Sequence, residues 1–157
     1  MAAHEQAIGA TDEWYTPPWV FKKLGVTFDL DAASPGQHVV PWVPAKWHLS
    51  RASLQYDWFG AVWLNPPYGP RNGIRPWLEK LAAHRNGIAL VPNRTGADWW
   101  QDFAARSDGL LFVRGKIRFI RPDGSEGASP GYGNVMMAFG SAMAEALQLS
   151  EIDGYRA

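Results

Sequence analysis

Two short apolar runs, Ala61-Val62-Trp63-Leu64 and Ile88-Ala89-Leu90-Val91, flank a segment that carries Ile74, Trp77, Leu78 and Leu81 at helical spacing. A strand without polar alternation must be covered on both faces, and two such strands joined through a helix run parallel. This pattern confines the chain to an α/β architecture: a mostly parallel sheet with helices on both faces. Val26 to Asp31 supplies a further strand. A helix before it opens at Thr16-Pro17-Pro18-Trp19, with Thr16 as N-cap, Pro17 in the first helical position and Gly25 as the stop. Asn86-Gly87 ends the helix that holds Trp77. Trp99 to Arg106 reads as a helix capped by Asp98. Residues 110–120 and 134–139 read as two long strands of a hairpin, expected to add an antiparallel edge, and a short helix over 142–148 closes the chain. Residues 34–55, rich in Pro, Trp and Ser, show no period and are expected to form an irregular excursion.

A length of 157 residues suits one domain with a real core. Residues 1–11 are expected to be a loose tail and 12–157 a single domain. No apolar run approaches the ~18–20 residues of a membrane span. No basic stretch leads into an apolar one at the N-terminus, so the expected location is cytoplasmic. Cysteine is absent, and His4, His38, His48 and His84 are scattered, so no metal is expected. The formal net charge is zero, which counts against a free-standing nucleic-acid binder unless the basic residues are gathered on one face.

The apolar run 61–64 leads directly into Asn65-Pro66-Pro67-Tyr68-Gly69. In a parallel sheet, ligands sit at the carboxyl ends of the strands, where this turn lies. An amino nitrogen conjugated to an aromatic ring is a poor nucleophile because its lone pair is delocalised. A site that accepts both of its N–H bonds draws the lone pair out. The Asn65 side-chain oxygen can accept one and the Pro66 carbonyl the other, since Pro66 and Pro67 rigidify the turn. Tyr68 can stack on a flipped base, and Gly69 admits a close backbone approach.

Asp12-Glu13-Trp14-Tyr15-Thr16-Pro17, Phe28-Asp29-Leu30-Asp31-Ala32-Ala33 and Val62-Trp63-Leu64-Asn65-Pro66-Pro67-Tyr68-Gly69 resemble the small phage-type DNA N6-adenine methyltransferases, the Dam family. The resemblance continues through Leu90-Val91-Pro92-Asn93-Arg94-Thr95 and Arg114 to Phe119, and so covers roughly residues 12–140. It implies a reduced Rossmann-like methyltransferase fold and transfer of a methyl group from S-adenosylmethionine (AdoMet) to the exocyclic amine of adenine in DNA. It also implies a cofactor site at Tyr15, Thr16, Pro17, Asp29, Asp31, Ala32, Asp57, Trp58 and Asn65. In that site Thr16 faces the methionine carboxylate, Asp31 its ammonium, and Asp57 with Trp58 the adenine ring. The Gly-x-Gly loop of many methyltransferases is replaced by Asp31-Ala32-Ala33-Ser34-Pro35-Gly36. Residues 34–55 contain no acid to hold the ribose.

Arg114, Lys116 and Arg118 alternate with Val113, Ile117 and Phe119, which sets three cations on one face of an extended segment. Arg71 and Arg75 follow the Asn-Pro-Pro-Tyr turn and Arg94 follows the run 88–91. This set is the expected DNA contact, and a solvated sheet face accounts for the alternation equally well. Cytosine N4 and a glutamine amide also present a conjugated amine to such a turn, and a non-enzymatic DNA-binding module is a further alternative. Oligomeric state is left open, a homodimer included.

Overall fold

The computed structural model describes residues 14–69, 73–128 and 130–157. Among them a seven-stranded sheet is formed by β1 (Phe28–Asp31), β2 (Ala45–His48), β3 (Val62–Leu64), β4 (Gly87–Pro92), β5 (Gly109–Val113), β6 (Asn134–Phe139) and β7 (Gly154–Arg156). The strand order is β2-β1-β3-β4-β6-β5-β7. The strands β2, β1, β3 and β4 are mutually parallel, whereas β6 is antiparallel to both its neighbours and β7 to β5. The helices are α1 (Pro18–Leu24), α2 (Arg75–His84), α3 (Asp98–Arg106) and α4 (Ser141–Leu149).

The apolar runs are apolar because both faces are covered. Along β4, Ile88 and Leu90 pack with Val20 and Phe21 of α1 and Met143 and Leu147 of α4. Ala89 and Val91 turn the other way, onto Leu78 and Leu81 of α2 and Trp99 and Phe103 of α3. The expected α/β class and the helices on both faces are thus observed.

Several local expectations are corrected. The α1 cap is Pro17, with Pro18 in the first turn, so Thr16 lies one residue outside the helix; Gly25 does end it, at φ 70°. Ala97, not Asp98, caps α3, and Asp98 is its first residue. The excursion 34–55 contains β2, which pairs with β1 although its exposed Lys46 and Trp47 hide any alternation. The first hairpin strand stops at Val113. Its partner β6 is not at an edge: it is inserted between β4 and β5, and β7 forms the edge instead.

Candidate functional site

From β1 the chain passes to β2 on one side, while β3 pairs on the other. The carboxyl ends of β1 and β3 therefore flank a topological switch point, the usual place for a ligand crevice. A cavity of about 730 Å³ opens there, lined among others by Thr16, Asp31, Ser34, Arg51 and Asn65. That size lies within the ~300–1,000 Å³ of small-molecule sites.

Asp31 ends β1 and is 3% exposed. Its Oδ1 accepts a hydrogen bond from the Ala33 amide at 3.3 Å. Burial raises its carboxyl to about pKa 7, and that backbone bond offsets only part of the rise. His48 ends β2 and holds Nδ1 2.7 Å from Ser34 Oγ and 3.8 Å from Asp31 Oδ2. Burial lowers the His48 pKa, so the ring is neutral at pH 7 and brings no charge to Asp31. Among the described residues, two buried polar atoms in this region find no hydrogen-bond partner: Thr16 Oγ1, on the cavity wall, and His48 Nε2.

Asn65 follows β3 directly. Its Nδ2 donates to the Trp14 carbonyl at 3.0 Å, which engages the donor end of the amide and leaves Oδ1 as an acceptor. Pro67 lines the same cavity, and Pro66 is buried behind it. Among the described residues, the Pro66 carbonyl accepts no backbone hydrogen bond. Tyr68 turns to the other side and lines a second cavity of about 280 Å³, with Gly69, Ile74, Pro92, Arg94, Trp99 and Tyr132. The Tyr68 and Tyr132 rings meet edge to face, 6.3 Å between centroids. The Asn-Pro-Pro-Tyr turn thus forms the partition between two cavities.

Of the residues expected to hold a cofactor, Tyr15, Thr16, Asp31 and Asn65 line the larger cavity, while Pro17, Asp29, Ala32, Asp57 and Trp58 do not. Pro17 and Ala32 are buried behind the wall. Asp29 accepts from the Ala61 amide at 2.8 Å and packs on Gly60, where an added Cβ would lie 2.2 Å from its carboxylate. It organises the turn into β3. Asp57 is exposed, and Trp58 donates its indole N–H to the Ser53 carbonyl while stacking on Trp77. Ser53 and Trp77 reach the cavity, and Trp58 supports them from behind.

The basic residues separate. Arg94 stands at the smaller cavity. Arg75 lines neither one and pairs with Asp102 of α3 at 2.5 Å. Arg71 falls outside the described residues. Beyond Val113, Ile117 and Phe119 are buried while Lys116 and Arg118 are exposed, so the alternation survives in an extended segment without the expected strand. Arg114 pairs with Asp153 at 3.3 Å and Arg118 with Glu126 at 3.7 Å, whereas Lys116 forms no ion pair among the described residues.

Sequence reading missed His48, Ser34 and the 49–55 wall because β2 was not seen, and missed Tyr132 because a long Gly-rich connection gives no register. Trp14 was visible only as one member of a short motif. Among the described residues no group of three or more potential metal ligands converges, and no helix is long and apolar enough to cross a membrane. A family model described as DNA N-6-adenine-methyltransferase (Dam) matches residues 5–152. No curated protein and no solved structure matches the chain.

Proposed function

The chain belongs to the Dam family of DNA N6-adenine methyltransferases, and on that premise we propose that AdoMet occupies the larger cavity and the target adenine the smaller, with residues 12–157 acting as one catalytic domain. The observation that carries this reading is the position of Asn65-Pro66-Pro67-Tyr68 as the wall between the two cavities.

The larger cavity fits the amino-acid end of AdoMet. The buried carboxyl of Asp31 matches an ammonium, and the Thr16 hydroxyl, without a partner among the described residues, matches a carboxylate. Ser50, Arg51, Ser53 and Gln55 add polar groups to the wall beyond the end of β2, where residues 34–55 carry no acid for the ribose. When bound, AdoMet supplies a methyl group made electrophilic by its sulfonium. Asn65 Oδ1 and the Pro66 carbonyl accept the two N–H bonds of the amine and turn its lone pair toward the larger cavity. Tyr68 holds the base by its face. A preorganised pair of acceptors acts through orientation and charge placement, without a strong base before transfer. Arg94 at the smaller cavity and the exposed Lys116 and Arg118 would meet phosphates, with the strand-free segment in the role expected of the strand.

The test is methyl transfer from labelled AdoMet to DNA, followed by nucleoside analysis, for the parent and for Asn65→Ala. N6-methyladenine from the parent and loss of turnover in the variant, with AdoMet binding retained, are expected. Methylation by Asn65→Ala at the parent rate would remove Asn65 from the mechanism.

A further inference from the structure

An amide side chain offers an acceptor at one end and a donor at the other, and rotation by half a turn exchanges them. At a site that must accept an N–H bond, the wrong orientation sets two donors face to face. Something must therefore choose the orientation of Asn65. The Trp14 carbonyl can only accept, and it lies 3.0 Å from Nδ2.

That carbonyl is held from three directions. The next residue, Tyr15, exchanges both backbone hydrogen bonds with Ile120, each at 2.8 Å. Ile120 also bridges Glu126, and the Gly127 amide donates to the Phe119 carbonyl at 2.8 Å, so residues 119–127 fold back with Tyr15 bridged to them at Ile120. The Arg121 guanidinium covers the Trp14 ring at 5.7 Å. Gly127 is seated against that ring so closely that a Cβ there would fall 2.7 Å from Trp14 Cζ3 and 2.9 Å from the Phe119 carbonyl oxygen.

We propose that the main-chain carbonyl of Trp14 is the positioning group for Asn65, selecting the amide orientation that presents Oδ1 to the target amine, with the 119–127 turn holding it in register. This rests on the catalytic reading of Asn65. It makes asparagine, rather than aspartate, the residue this particular frame requires, because an ionised carboxylate at position 65 would face a carbonyl oxygen. A protonated one would donate to Trp14 and keep an acceptor for the amine.

The experiment compares kcat of Asn65→Asp with the parent at saturating AdoMet across pH. Asp31, Tyr15 and Arg51 are the other ionisable side chains on that cavity wall. They are common to both proteins, so the ratio of variant to parent isolates position 65. The ratio is expected to fall about tenfold per pH unit once the new carboxyl ionises. A ratio that is flat across pH, or an Asn65→Asp protein that binds AdoMet yet is inactive even in acid, overturns the assignment. Asn65→Ala, run alongside, separates the two failures: if it is as active as the parent, the catalytic reading itself falls. Hydrogen exchange at the Asn65 side-chain amide of the parent, read by NMR with selective labelling, gives a test independent of that variant's folding. Protons protected relative to exposed asparagines, and deprotected in Gly127→Ala, are expected; free exchange in the parent overturns the proposal.

Discussion

His48 Nδ1 lies 3.8 Å from Asp31 Oδ2, and each side chain keeps only 5% of its surface in solvent. With His48 neutral, Asp31 is a carboxyl pushed up to about 7 and facing the cavity that the AdoMet ammonium would enter. Ion pairing needs the carboxylate. Binding therefore releases a proton below pH 7, and affinity for AdoMet is expected to weaken about tenfold for each pH unit below 7 and level off above it. Calorimetry across pH in buffers of different ionisation enthalpy reads both the slope and the proton. Asp31→Asn should bind weakly and without the slope. The same shift has the opposite sense for the empty protein. The folded state keeps a proton that the unfolded chain sheds above ~4, so the contribution of Asp31 to stability declines from about pH 4 to 7.

Thr16 offers a cleaner probe of the same end of the cavity. Its hydroxyl is buried without a partner among the described residues, so Thr16→Val should leave the empty protein as stable as before or slightly more so. AdoMet binding should weaken by about 1.5–3 kcal/mol, the range for a hydrogen bond to a charged group. Thermal melts with and without cofactor separate the two effects. Equal losses in both would show that the hydroxyl serves the fold.

Asp57 is expected to be silent. It is exposed and outside the cavity wall, so Asp57→Ala should change stability by less than about 0.5 kcal/mol and leave AdoMet affinity at the parent value. A large rise in the dissociation constant would restore the role that sequence resemblance gave it.

At the smaller cavity, Tyr132→Ala should weaken binding of DNA that contains the methylated site, because base–aromatic contact is worth about 1–3 kcal/mol. AdoMet affinity should not move. A fluorescent adenine analogue at the target position, brighter when unstacked, reports whether the base still enters. An unchanged signal in both Tyr68→Ala and Tyr132→Ala would place the base elsewhere.

The cations near the 114–133 connection should differ among themselves. Lys116 has no ion pair among the described residues, while Arg114 and Arg118 are partly neutralised by Asp153 and Glu126. Lys116→Ala is expected to reduce the slope of log affinity against log salt by about 0.9 on duplex DNA, the loss of one phosphate contact. Arg114→Ala should change it less. Identical slopes for Lys116→Ala and the parent would remove this segment from the interface.

What the residues disclosed, and what they did not, follows from where the information lies. The strands β3 and β4 were legible because burial on both faces demands unbroken apolar runs. Asn65 was legible because it ends such a run, and Asp31 was named through the family resemblance. The strand β2 was not, since an edge strand with Lys46 and Trp47 exposed has no apolar face to announce it. The place of β6 was hidden for another reason: local pattern marks a strand, and only pairing decides its neighbours. The cavity wall formed by residues 49–55 and the Trp14 contact with Asn65 depend on chain segments far apart in sequence, which no single periodicity encodes.

The insertion of β6 has a bearing on how the molecule comes into being. Until residues 134–139 are available, β4 and β5 cannot be joined, and each presents an unpaired row of amides and carbonyls beside apolar side chains. A nascent chain released from the ribosome only as far as Gly133 therefore holds every residue of the Asn-Pro-Pro-Tyr partition but not the keystone of the sheet beneath it. Assembly must wait for the last strands to thread between two earlier ones, a long-range step that is slow and open to self-association. Truncation near the C-terminus should accordingly be felt first as poor yield, well before it is felt as altered chemistry.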